Sequence, residues 1–188
     1  MTTSTPAPRY DAMLRTLHWA MAAIILTAIA LGVVATLLPR GVSPRVEILT
    51  IHKSLGMTAL VLIVLRVAWR LAVRAPPYSA ALGALHRLGA RAAHVALYAL
   101  MIAMPVTGYV DSVVGGHPTS WFGLFDWPAP IARNDALART AGLVHYGLAW
   151  ALAAALALHF AAVAWHVWVK RDDVFARMGP ARAGDANG

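Results

Sequence analysis

Residues 143–169 read LVHYGLAWALAAALALHFAAVAWHVWV, an unbroken apolar run interrupted only by histidines. A helix needs about 20 apolar residues to cross a bilayer, and this stretch exceeds that without a single Asp, Glu, Lys or Arg. His145 and His159 are 14 positions apart, which on a helix means about 21 Å of rise and only about 40° of rotation. They therefore share one face of one helix at two depths. His166 follows seven residues later on nearly the same face.

Three further apolar runs precede this one: Leu17 to Leu38, Ile51 to Val73, and about Ala92 to Val114. The whole chain of 188 residues is 60% hydrophobic and 13% charged, with a mean hydropathy of +0.63, a composition that calls for lipid around it. The fold class expected is all-α, an integral membrane four-helix bundle. Four spans leave no room for a second globular domain, so residues 9–180 read as one domain. Residues 1–8 read as a disordered polar lead rather than a signal peptide, and 181–188 as a disordered tail. Helix boundaries are marked locally. Ser43 before Pro44 and Glu47 reads as an N-cap with proline at the first helical position, and Asn134 reads as the cap of a helix starting at Asp135.

The formal charge is +8, with basic residues concentrated at the ends of the apolar runs. Arg9, Arg15, Arg70, Arg74, Arg87, Arg91, Lys170, Arg171, Arg177 and Arg182 collect on one side; Arg40, Arg45, Lys53, Arg133 and Arg139 lie on the other. The richer side is expected in the cytoplasm, together with both termini. No nucleic-acid partner is expected, because the basic residues form no soluble patch; the partner is membrane lipid. The loop holding Trp121, Phe122, Phe125 and Trp127 reads as a segment lying in the membrane interface, with ligand binding as the alternative. Cysteine is absent, which excludes disulfides, thiolate metal sites and thioether-linked haem.

Acidic residues avoid the spans, Asp111 being the deepest, so a carboxylate relay of the kind an ion pump needs is missing. Histidines do the opposite: His18, His52, His94, His145, His159 and His166 lie in or beside apolar helical sequence. A single such histidine is ordinarily a packing residue. Six of them in lipid, each needing partners for its ring nitrogens, point instead to axial ligation of haem iron. Helix direction puts His52 at the depth of His145 and His18 at the depth of His159. His94 and His166 stay open as rival ligands, as quinone-pocket residues or as structural hydrogen-bonding groups. His86 and His117 read as loop or interface residues. Gly56, one turn beyond His52, offers either a bare surface for a porphyrin or a helix contact, and Pro105 a kink without assigned function.

The motifs Arg15-x-x-His18-Trp19, Ile51-His52-x-Ser54-x-Gly56, Arg66-x-x-x-Arg70-Leu71, His94-x-x-x-Tyr98, Met104-Pro105-x-x-Gly108, His145, Leu158-His159 with His166, and Lys170-x-Asp172 through Met178-x-Pro180 appear in that order. In order and spacing they resemble the bacterial cytochrome b561 family, the four-helix dihaem type that includes superoxide oxidase, from about Tyr10 to Pro180. Val144 stands where that pattern carries tryptophan. The resemblance implies two haem b groups, with His18, His52, His145 and His159 as cofactor-binding and iron-ligating residues and ubiquinone as substrate. It also implies a multi-pass location in the bacterial inner (plasma) membrane. The function expected is electron transfer between the quinone pool and a donor or acceptor on the outer face, superoxide or a periplasmic redox partner included. Superoxide:quinone oxidoreductase is the specific enzyme candidate. The alternatives are a haem-bearing anchor subunit of a hydrogenase or dehydrogenase and a haem-free transporter. Arg15, Arg91, Lys53 and Arg139 are the expected neutralisers of haem propionates.

Overall fold

The computed structural model describes residues 9–74, 76 and 83–179; the expected disordered lead 1–8 and tail 181–188 lie outside them. Four long helices carry the chain: α1 (Ala12–Leu37), α2 (Ser43–Ala72), α3 (Ala84–Val114) and α4 (Asp135–Trp165). All four are long and apolar enough to cross a membrane, as the sequence predicts. The caps follow the local chemistry: Asn134 accepts from Leu137 N, and Pro44 lies in the first turn of α2. Ser43 is already helical, with Val42 at the N-cap, and its hydroxyl donates to Glu47 Oε1 at 2.7 Å.

The helices pack as two pairs, α1 against α2 and α3 against α4, joined by contact between α2 and α3. Mid-bundle, Met21 and Ile25 from α1, Ala59 and Ile63 from α2, Leu97 from α3 and Leu152 from α4 form the core. Among lipid tails such residues gain little from leaving water, so their cohesion comes from packing density. Of α4, only Ala141 and Leu152 are buried. That helix presents its surface to lipid and to the slot between the helix pairs.

Polar ties hold the two ends. Arg66, buried in α2, donates to Leu14 O at 2.7 Å and to Tyr98 Oη at 3.1 Å, linking α1, α2 and α3. Asp11 caps α1 and accepts from Trp69 Nε1 at 2.8 Å; this bond, with the cap bonds from Leu14 and Met13, holds its carboxyl below the ordinary carboxylate range. Beyond α4 the chain widens into a π-helical turn (His166–Lys170), reverses at Arg171 with φ of 52°, and forms the short α5 (Val174–Met178). Trp19 Nε1 donates to Met178 O at 2.9 Å and Tyr10 N to Arg177 O at 3.1 Å, so α5 is strapped to the start of α1.

At the other end the aromatic loop takes a defined backbone structure. It forms a hairpin of β1 (Ser120–Trp121) and β2 (Phe125–Asp126), with Ser120 opposite Asp126. Its two central turn residues, Phe122 and Gly123, have φ of 50° and 75°, as a tight hairpin turn of this hand requires. A bulky residue at positive φ needs support, and Ser54 gives it. This serine is 0% exposed, accepts from Phe122 N at 2.9 Å, and sets its hydroxyl 3.0 Å from Ser120 O. Trp121 Nε1 donates to Thr58 Oγ1 at 3.0 Å beside it. Ser54→Ala removes the hydroxyl that bonds Phe122 N, a part-buried bond, and Ser120 O, a loss of about 1 kcal/mol for each bond. The expected outcome is a lower thermal midpoint in detergent with new proteolysis across residues 119–127; an unchanged midpoint would contradict the tie.

Candidate functional site

Two groups of histidines face each other across the slot between the helix pairs. At the hairpin end, His52 of α2 and His145 of α4 have ring centroids 6.2 Å apart, with planes at 89°. At the end carrying the termini, His18 of α1 and His159 of α4 are 6.3 Å apart at 65°. All four rings are half-buried. Both pairs expected from helix depth are thus brought together.

The hairpin-end pair is held by a repeated device. His52 Nδ1 lies 2.8 Å from Ala28 O, and His145 Nδ1 lies 2.9 Å from Met104 O. A carbonyl only accepts, so Nδ1 carries the proton in each ring and Nε2 keeps its lone pair. In both cases the residue four positions after the accepting carbonyl is a glycine: Gly32 after Ala28 and Gly108 after Met104. Side chains four apart stack on one helix face, so any other residue there would cover the carbonyl. A Cβ at Gly32 would fall 3.1 Å from His52 Cε1, and one at Gly108 only 2.8 Å from His145 Cε1. A missing side chain on the facing helix is what admits each ring. Gly56 behaves differently: a Cβ there would meet nothing within 4 Å.

These residues fit haem. In each pair the two rings, 6.2 and 6.3 Å apart between centroids, leave a gap in which His52 with His145, and His18 with His159, would hold the iron of a haem. Each pair offers two imidazoles, the number that an iron already held by a macrocycle takes as axial ligands. Among the described residues no group of three or more His, Asp or Glu is arranged to hold a bare metal ion. Beside His52 and His145 lies a cavity of about 170 Å³ with apolar walls at Gly56, Met57 and Pro105 and a polar edge at Lys53, Asp111 and Thr119. That mixture suits an apolar macrocycle bearing carboxylates.

At the terminal end the structure adds a third ring. His94 of α3 lies 6.4 Å from His159, nearly as close as His18. His18 and His94 thus stand at nearly equal distances from His159, on α1 and α3. His166 stands apart from the pairs, with Nδ1 2.6 Å from Asp172 Oδ2. His117 is a loop residue, as expected, and lines an open depression of about 510 Å³ with Arg40, Arg133 and Arg139, whereas His86 lies in the first turn of α3. Of the expected propionate partners, Lys53 lines the cavity and Arg139 the neighbouring depression, while Arg15 donates to Gly179 O at 3.4 Å.

Sequence reading did not find Gly32, Gly108, Ser54 or Thr119 as site residues. The spacing of each glycine from a carbonyl carries no signal until the facing histidine is placed. Gly108→Ala is expected to push His145 off its carbonyl and to lower haem retention at the hairpin end, while Gly89→Ala, away from both cavities and with nothing within 4 Å of an added Cβ, leaves retention unchanged. Haem quantified per chain after size exclusion checks this, and equal retention in both variants would contradict the packing argument.

Comparison with known proteins identifies the family. The family model described as prokaryotic cytochrome b561 matches residues 9–181. Cytochrome b561 homolog 2 of Escherichia coli (strain K12) is 35% identical over 176 residues, covering 94% of this chain and 93% of the relative. The probable superoxide oxidase CybB of Yersinia pestis is 28% identical over 176 residues, covering 94% and 98%. A family match over nearly the whole chain and a relative of that identity lead to one conclusion: the chain belongs to the prokaryotic cytochrome b561 family, multi-pass bacterial membrane proteins of b-type haem and electron transfer.

Proposed function

We propose that the protein is a dihaem cytochrome of the bacterial inner membrane that passes electrons between the quinone pool and a donor or acceptor on the outer face. In this reading His52 and His145 hold one haem b and His18 and His159 the other. The single observation that carries it is the pair of facing imidazoles at each end of one slot, 6.2 and 6.3 Å apart. We infer from the Lys and Arg excess that the terminal end faces the cytoplasm.

Bound haem supplies a one-electron iron couple. The chain's residues supply the rest. The Ala28 and Met104 carbonyls fix the rings of His52 and His145 and raise the basicity of their free nitrogens. The surrounding helices exclude water, which makes nearby charges more effective. At the terminal end Arg66 interacts electrostatically with both His18 and His94, and a positive charge there favours the reduced state of a bound redox centre. Ubiquinone reduction takes two electrons and two protons, and the His166–Asp172 pair in the turn that follows α4 would supply a proton-carrying group. Single replacement of His145 or of His159 by Ala is expected to lower haem from two per chain to one, each removing a different spectral component. Retention of two haems in either variant would remove that ligand from the assignment.

Superoxide is the specific donor favoured by one observation. The open depression lined by Arg40, Arg133 and Arg139 adjoins the His52–His145 cavity, and Asp111 lines both. Its positive field is limited, because Arg133 is paired with Asp135 at 2.9 Å, which leaves Arg40 and Arg139 as the main attractors of an anion. The balanced reaction takes two superoxide anions and a quinone, with two protons, to two dioxygen molecules and a quinol. Arg139→Ala is expected to slow reduction by superoxide several-fold at low salt, an effect that shrinks as salt rises. Failure of superoxide to reduce quinone-loaded wild-type protein removes this donor and leaves the electron carrier standing.

A further inference from the structure

Thr119, at the start of the hairpin, is only 2% exposed, yet its Oγ1 has no hydrogen-bond partner. A buried hydroxyl without a partner costs about 1–3 kcal/mol, and such groups in a native fold call for an explanation. Thr119 lines the cavity beside His52 and His145. The other hydroxyls on that wall are engaged: Tyr109 donates to Pro128 O, and Ser112 donates to His117 O at 3.1 Å. Thr119 is thus the unspent hydroxyl donor at the cavity's polar edge.

Its position is fixed from two sides. Thr119 O accepts from Trp127 N at 2.9 Å across the hairpin, and the hydroxyl of Ser54 lies 3.0 Å from the carbonyl of the next residue, Ser120. The hairpin is therefore pinned to α2 two positions after His52, with Thr119 carried to the cavity. Lys53, next to His52, lines the same cavity. A neutral donor and a cation lining a cavity that also has apolar walls are the complement of a carboxylate attached to an apolar body.

We propose that Thr119 and Lys53 bind a carboxylate of the hairpin-end haem, so that the hairpin is a clasp on the cofactor. This inference rests on the proposed ligation by His52 and His145. The Thr119 hydroxyl donates to one carboxylate oxygen, and Lys53 supplies the countercharge, shared with Asp111. Removing the hydroxyl leaves the carboxylate's negative charge less compensated, which disfavours the reduced centre and lowers its potential.

The test uses the full-length holoprotein in detergent, as wild type, Thr119→Val, Thr119→Ser and Lys53→Gln. The expected result is a shifted propionate bending band in resonance Raman spectra of Thr119→Val and Lys53→Gln. In Thr119→Val the midpoint of the haem that His145→Ala removes falls, and Thr119→Ser restores both signals. Lys53→Gln lies off the hairpin, so its band reports on the site even where Thr119→Val folds poorly. An unchanged band in both variants overturns the clasp while that haem is still present, and means that water satisfies Thr119. If His145→Ala removes no haem, the ligation falls and the clasp falls with it.

Discussion

A histidine ring in lipid has two nitrogens to satisfy and no water to satisfy them with. This constraint organises the hairpin end of the bundle. At His52 and His145 one nitrogen is satisfied by a backbone carbonyl of the neighbouring helix, exposed because a glycine follows four residues on. Spending Nδ1 in this way leaves the Nε2 lone pair free. Helix packing follows from the same geometry, because α1 must approach α2, and α3 must approach α4, closely enough for a ring to reach a main-chain oxygen.

The two helix pairs are consequently tight within themselves and separated where the histidines face each other. Apolar packing closes the middle through Ile63, Leu97 and Leu152, while buried polar groups close the ends. Arg66 ties three helices at one end and Ser54 ties the hairpin to α2 at the other. A buried arginine is expensive in a membrane unless its hydrogen bonds are met, and those of Arg66 run to Leu14 O and Tyr98 Oη. These ties set the depth at which each histidine sits. They belong to the site as much as the rings do.

Much of this was legible in the sequence, for physical reasons. The apolar runs give the spans because lipid leaves the backbone few choices, and the 14-residue interval on α4 gives two depths because helical rise is fixed. Ser43 and Asn134 marked helix starts to within a residue. The aromatic loop was less legible: its Trp and Phe content suits an interface, yet the hairpin depends on positive φ at Phe122, a conformation its side chain does not favour and that Ser54 supports from a distant helix. The nearness of His94 to His159 was equally hidden, because it depends on the crossing of α3 and α4 rather than on spacing along either.

The claim on which the rest depends is that each end of the slot holds one iron between two imidazoles. The most direct measurement is haem quantified per chain by pyridine haemochrome, together with low-temperature electron paramagnetic resonance of the oxidised, detergent-purified protein. The account predicts two b haems per chain, both low-spin with two nitrogen axial ligands. One haem, none, or a high-spin centre at either end would contradict it.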